Sequence, residues 1–269
     1  VNINVQSTGA SKANIYLVND GEADLATVQN DVMDYAYNGT DLFAEEGAAK
    51  DFTAVAALYA EVCQIVTSGD IKSVDELKGK RVSVGDAGSG VEFNARQILE
   101  AYGISFDDIQ VNNLGFGDSA DALKDGKIDA FFCTAGVETT VISELAKQCG
   151  VRLLSLDEKT LNKLTRSYDF YSEYLIPAGT YEGQEEETRT LGVKAVLLAS
   201  DRLSSAQVKE ITKTLFDNKE KVQYALPVDI SLDETAALEG ITVPFHKGAA
   251  AYYEDCGVAL EDGTEKGSK

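Results

Sequence analysis

The chain has 269 residues, 44% of them apolar, and a formal net charge of −21. That length admits one large or two modest α/β domains with a sizeable core. A surface so acidic repels phosphate backbones and anionic headgroups, which argues against nucleic acid as a partner and against docking on anionic lipid.

Residues 1–6 alternate like a strand, and the following Ser-Thr-Gly-Ala-Ser (7–11) is a turn rich in helix N-caps. Residues 13–19 read as a helix stopped by Asp20-Gly21. Residues 23–28 read as a short buried strand with Gln29, Asn30 and Asp31 at its carboxyl end. A helix over 32–37 ends at Asn38-Gly39-Thr40. The apolar stretch 52–66 reads as two strand pieces joined at Tyr59-Ala60-Glu61. Ser73 and Glu76 have capping-box spacing, so 73–77 is a helical turn.

Residues 80–103, KRVSVGDAGSGVEFNARQILEAYG, carry the strongest local pattern. A short apolar strand (Val82, Val84) runs through a glycine turn (Gly85, Gly88, Gly90) into a helix. Phe93, Ile98, Leu99 and Tyr102 give that helix one apolar face, and Gly103 ends it. A strand–glycine turn–helix aims free N–H groups along the positive end of a helix dipole, an arrangement that binds anions, and Ser89 adds a hydroxyl. The stretch is neither a Walker A loop nor a full dinucleotide fingerprint.

Further on, 109–114 is a strand and 119–124 a helix stopped by Asp125-Gly126. Residues 128–133 are a buried strand with Thr134-Ala135-Gly136 at its carboxyl end. Helices over 139–149 and 157–165 flank a strand at 151–155. Residues 176–180 are extended, 185–187 a solvated acidic loop, and 193–199 a buried strand. Residues 204–218 and 246–253 are helices, and 261–269 a polar tail.

This alternation of strands and helices predicts parallel sheet. It also contains an internal echo: Asp125-Gly126 follows Asp20-Gly21 by 105 residues, each pair ending a helix and opening a buried strand, so Gln29 falls opposite Thr134. Ligands of open α/β sheets sit outside the carboxyl ends of strands, which singles out both positions.

Four cysteines are widely spaced and form no C-x-x-C pair. Cys63 and Cys133 lie in apolar runs that suit buried thiols, and a Cys149–Cys256 bridge is left open. One histidine, His246, argues against a histidine-based zinc site, and the acidic clusters lack EF-hand spacing, so no metal or cofactor is expected. Neither His246 nor Cys133 has a recognisable catalytic partner, and no enzyme is expected.

Several motifs occur together: GEADLATVQND (21–31), AYNGT (36–40), LYAEVCQIV (58–66), LKGKRVSVGDAGSGVEFNARQIL (77–99), DALKDGKIDAFFCTAGV (121–137), IPAGTY (176–181) and VPFHKGAAAYY (243–253). In this order the chain resembles the TAXI-type solute receptors, extracytoplasmic binding subunits of TRAP transporters. The resemblance implies an α/β type II periplasmic-binding-protein fold with two lobes joined by crossing strands. Lobe one would hold 1–60 and 193–269, lobe two 67–180, with 61–66 and 181–192 as crossing segments. It further implies a small carboxylate ligand, either a glutamate- or glutamine-like amino acid or a 2-oxo-dicarboxylate. A membrane permease would be the partner and a monomer the working form. The ligand-binding residues expected are Thr8, Gln29, Asn30, Tyr59, Gly88, Ser89, Gly90, Thr134, Ala135 and Gly136. Two departures stand out: the family's first strand, loop and helix start would precede Val1, and Val91 stands where a hydroxyl residue is common. The alternatives to transport are a sensor domain signalling to a membrane kinase and an enzyme on the same fold.

Overall fold

The computed structural model describes residues 3–8, 10–225, 230 and 232–260. Its residues fall into two compact units. Unit 1 comprises residues 1–57, 196–217 and 233–269, and unit 2 comprises 58–195 and 218–232. Two long strands are common to both: β2 (Phe52–Thr67) and β8 (Thr188–Ser200).

In unit 1, α1 (Ser11–Asn19) leads through Asp20-Gly21 into β1 (Leu25–Gln29), and α2 (Asn30–Asn38) follows at once. Gly39 adopts φ 67° to end α2, the left-handed conformation that glycine takes without a Cβ penalty. The unit is completed by α7 (Ser205–Asp217) and α9 (Lys247–Asp255). These two helices approach so closely that a Cβ on Gly248 would lie 2.3 Å from the Ser205 carbonyl oxygen and 2.7 Å from the Lys209 nitrogen. Phe216 and Tyr252 stack across them with centroids 5.3 Å apart. The Ala54 amide and carbonyl pair with Pro244 and His246, which ties the start of β2 to the approach to α9.

In unit 2, β3 (Arg81–Ser83) pairs in parallel with both β4 (Gln110–Asn112) and β5 (Ala130–Ala135). The crossover between β3 and β4 is α3 (Gly90–Ala101), and that between β4 and β5 is α4 (Phe116–Lys124). β5 then pairs antiparallel with β2, Val62 opposite Ala135 and Thr67 opposite Ala130. After α5 (Thr140–Cys149), β6 (Arg152–Leu153) also lies antiparallel to β2. α6 (Glu158–Ser167) leads to β7 (Ser172–Ile176), antiparallel to β8, and α8 (Lys219–Ala225) belongs to this unit as well. The core gathers Val62, Val66, Phe131, Cys133, Ile142 and Leu145, all buried.

Five expectations are corrected. The sheet is mixed rather than parallel, because β2 runs antiparallel to β5 and β6, and β8 runs antiparallel to β7. The stretch 52–66 is one continuous strand, not two pieces joined at Tyr59. Residues 3–6 are irregular, with Ile3 and Val5 exposed, since alternation without a neighbouring strand supplies no ladder; Val1 and Asn2 lie outside the described residues. The segment expected to be extended over 176–180 is instead a turn after β7 ends at Ile176, with the Gly179 N–H bonding to the Gln184 carbonyl. No helix was expected over 219–225. The polar tail from Glu261 lies outside the described residues.

The 105-residue echo is structural. In unit 1 the amides of Asp20, Gly21, Glu22 and Ala23 bond to the carbonyls of Tyr16, Val18, Leu17 and Leu17. In unit 2 those of Asp125, Gly126, Lys127 and Ile128 bond to Asp121, Leu123, Ala122 and Ala122. Every bond has its counterpart at the same offset, and each turn feeds a strand.

Candidate functional site

In unit 2 the expected residues gather at one end of the sheet. β3 and β5 are parallel neighbours, so their carboxyl-terminal loops, Gly88–Gly90 and Thr134–Gly136, emerge on the same side. β2 runs antiparallel to β5 with Val62 opposite Ala135, so Tyr59, three residues earlier on β2, reaches that same end.

The first loop is organised by an N-cap at Ser89, with Glu92 reaching back one residue beyond it. The Ser89 hydroxyl accepts from the Glu92 amide at 3.2 Å, and the Glu92 carboxylate accepts from the Gly88 amide at 2.7 Å. The other carboxylate oxygen faces Asn113 Nδ2 at 3.4 Å. The Gly88 N–H is therefore already paired with an internal anion. The first-turn amides of Gly90 and Val91 have no carbonyl within their own helix to reach, and the Ser89 proton remains available for donation. Gly85, at φ 90°, lies under Val91: a Cβ on it would come within 2.8 Å of the valine Cβ. Val91 thus fills the turn by packing.

The second loop is held from inside. The Thr134 hydroxyl, buried, donates to Asn94 Oδ1 at 3.0 Å, and Asn94 Nδ2 donates to the Tyr171 hydroxyl at 2.9 Å, which donates on to Gln97. The expected hydroxyl donor is thus engaged in a buried network, one helical turn beyond Ser89. Gly136 is buried, and its carbonyl accepts from the Thr139 hydroxyl at 2.8 Å. Ala135 is half-buried.

Tyr59 is half-buried, and its hydroxyl faces Glu61 at 3.4 Å. Burial first, then the neighbouring Glu61 charge, pushes the phenol up to about 12. Arg96, on α3 after the glycine turn, lies over the Phe106 ring at 3.9 Å and serves the fold.

In unit 1, Gln29 and Asn30 are buried while Thr8 is exposed. Gln29 is the N-cap residue of α2, and its backbone amide donates to Ser11 Oγ at 3.1 Å. Asn30 is fully buried and donates through Nδ2 to the Gly240 carbonyl at 3.0 Å. Thr8 is exposed and bonds to Asn14 Oδ1.

His246 caps α9: Nδ1 accepts from the Gly248 amide at 3.0 Å, and Nε2 meets the Leu203 carbonyl at 3.2 Å, so a neutral ring protonated on Nε2 satisfies both. Burial drives the Cys133 thiol far above its usual range, which leaves it an unreactive core residue. Cys63 faces Thr134 while Cys133 faces Gln64, on opposite sides of the sheet. Cys149 and Cys256 are exposed free thiols. Among the described residues no group of His, Cys, Asp and Glu is arranged to hold a metal, and no helix is long and apolar enough to cross a membrane.

A profile of the NMT1-like family matches residues 1–257. The chain belongs to the NMT1-like family. Its fold compares with a solved protein of Bordetella bronchiseptica RB50 at a TM-score of 0.51 and 16% identity, over 92% of this chain and 68% of that one. The alkanesulfonate-binding protein SsuA of Xanthomonas axonopodis pv. citri, solved with MOPS, is 21% identical with a TM-score of 0.48, over 81% of this chain. This NMT1-like chain spans 64% of the length of that protein. The aliphatic sulphonate binding protein SsuA of Escherichia coli is 19% identical with a TM-score of 0.48, over 92% of this chain and 70% of that one. The NMT1-like chain shares the α/β fold of the Bordetella bronchiseptica protein.

Proposed function

We propose that this NMT1-like protein is a non-catalytic, extracytoplasmic solute-binding protein that captures a small carboxylate and delivers it to a TRAP-type permease. The observation that carries the reading is the convergence of Tyr59, Gly88–Gly90 and Thr134–Gly136 at one sheet end of unit 2. There the first-turn amides of α3 and the Ser89 hydroxyl offer anion donors, while the internal networks hold the loops still. An amide-lined site suits a carboxylate in a chain of net charge −21, because backbone dipoles attract an anion without needing a free Lys or Arg. Glutamate- or glutamine-like amino acids and 2-oxo-dicarboxylates are the ligands proposed, by resemblance to TAXI receptors. The lobes proposed with them are 1–60 plus 193–269 and 67–180, with 61–66 and 181–192 as the segments whose backbone angles change on capture. A monomer is the proposed working form.

The test is a thermal-shift panel of glutamate, glutamine, 2-oxoglutarate, succinate, aromatic amino acids, sialic acid and taurine. Ligand at about 100 times Kd stabilises by about 2.7 kcal/mol. At about 2–4 °C per kcal/mol that is a rise on the order of 5–10 °C. One selective carboxylate supports the reading, whereas a response confined to taurine would replace carboxylate with sulfonate. A flat panel would remove the assignment.

A further inference from the structure

Four hydrogen bonds run in one direction through unit 2. The Thr139 amide donates to the Tyr181 hydroxyl at 3.0 Å, and Tyr181 donates to Gln64 Oε1 at 2.5 Å. Gln64 Nε2 donates to Thr139 Oγ1 at 2.8 Å, and that hydroxyl donates to the Gly136 carbonyl at 2.8 Å. An amide is only a donor and a carbonyl only an acceptor, so the direction of every proton between them is fixed. Gln64 is 1% exposed and Tyr181 2%, so water does not compete. The chain joins β2, the entry to α5 and the loop after β7, segments up to 117 residues apart.

The endpoint matters most. Across a trans peptide the carbonyl and the following N–H point in opposite directions. Tying the Gly136 carbonyl to Thr139 therefore also fixes the direction of the Val137 N–H. Glycine at 136 would otherwise leave that peptide plane free to rotate.

We infer that Tyr181, Gln64 and Thr139 are positioning residues that set the peptide plane between Gly136 and Val137, making the Val137 N–H a preorganised donor to the ligand's anionic group. This rests on the solute-binding reading and assigns it a donor and a set of supports beyond the ten residues expected from sequence. Preorganised donors bind more tightly because no ordering cost remains at the moment of binding.

The experiment is calorimetric titration of each panel compound into wild type, Tyr181→Phe, Thr139→Val and Thr139→Ser, well below the melting temperature of each, with melting curves alongside. Tyr181→Phe removes the middle of the chain, and Thr139→Val removes its last donor at nearly constant volume. Both are expected to weaken Kd by about tenfold, the equivalent of one hydrogen bond. Thr139→Ser restores the hydroxyl and is expected to stay within about twofold of wild type. Wild-type affinity in Tyr181→Phe and Thr139→Val, with only a lowered melting temperature, would reduce the network to fold support and overturn the inference. Wild type that binds no panel compound would overturn the carboxylate reading, and the inference with it.

Discussion

Glu92→Gln separates the two things that Glu92 does. The glutamine amide oxygen can still accept from the Gly88 N–H, so the geometry of that bond survives while its charge is lost. A negative group in the first turn of a helix is worth about 0.3–1 kcal/mol, so the melting temperature should fall by about 1–4 °C. Ligand affinity should move the other way. An anion on the first-turn amides would sit about one helical turn, 5.4 Å, from the Glu92 charge. At an effective dielectric constant of about 40, the repulsion is about 1.5 kcal/mol. Removing it should tighten binding of an anionic ligand by about tenfold. The gain should shrink in high salt, because the Debye length of about 8 Å at physiological ionic strength falls further. The assay is calorimetric titration at two salt concentrations with parallel melting curves. If Glu92→Gln lowers stability as expected but leaves affinity unchanged or weaker for every anionic compound, no ligand anion lies at the start of α3.

Other perturbations probe the frame around the site. Gly248→Ala should cost about 3 kcal/mol or more, because its Cβ would meet backbone atoms of Ser205 and Lys209 that cannot rotate away; an unchanged melting temperature would contradict the close α7–α9 contact. His246→Ala should cost about 1 kcal/mol by removing the cap on Gly248, and His246→Asn should recover part of it in urea unfolding. Asp108 is held down to about 2 by the Ser105 amide, then Lys78 and the Ser105 hydroxyl. Its folded pKa lies below the unfolded value, so its stabilisation is complete above about pH 4 and is lost as pH falls toward about 2. Asp108→Asn should flatten that part of the acid-unfolding profile relative to wild type.

Much of the fold could be read from local signals. Asp20-Gly21 and Asp125-Gly126 each end a helix and open a strand, because glycine takes the positive φ needed there at no cost. The start of α3 was legible as a glycine turn, yet its chemistry lay in Ser89-x-x-Glu92, the same spacing that marked Ser73 and Glu76. At the latter pair only a 3₁₀ turn forms, over Val74–Leu77. Thr134 was legible as a strand-end hydroxyl, but its partner Asn94 was not, since nothing local marks which polar residue on a buried helix face turns inward. The Gln64–Tyr181 pair is separated by 117 residues, beyond any periodicity. The sequence also could not reveal that β2 is continuous: Tyr59-Ala60-Glu61 looks like a break in an apolar run, but β2 continues through it without interruption.

Gln64 has a further consequence for how this protein avoids folding wrongly. Residues 62–67 of β2 are buried on both faces, so an apolar–polar alternation does not tell the strand which way to sit against β5. Slipping the pairing by one residue would carry Gln64 to the opposite face, away from Thr139 and Tyr181, and break both of the bonds it makes there. A buried amide without partners costs about twice what a made hydrogen bond returns. One glutamine thus works as a key that fits a single alignment of two greasy strands. Gln64→Leu would add apolar surface while erasing that key, and its signature would be a slow, heterogeneous refolding reaction rather than a simple loss of stability.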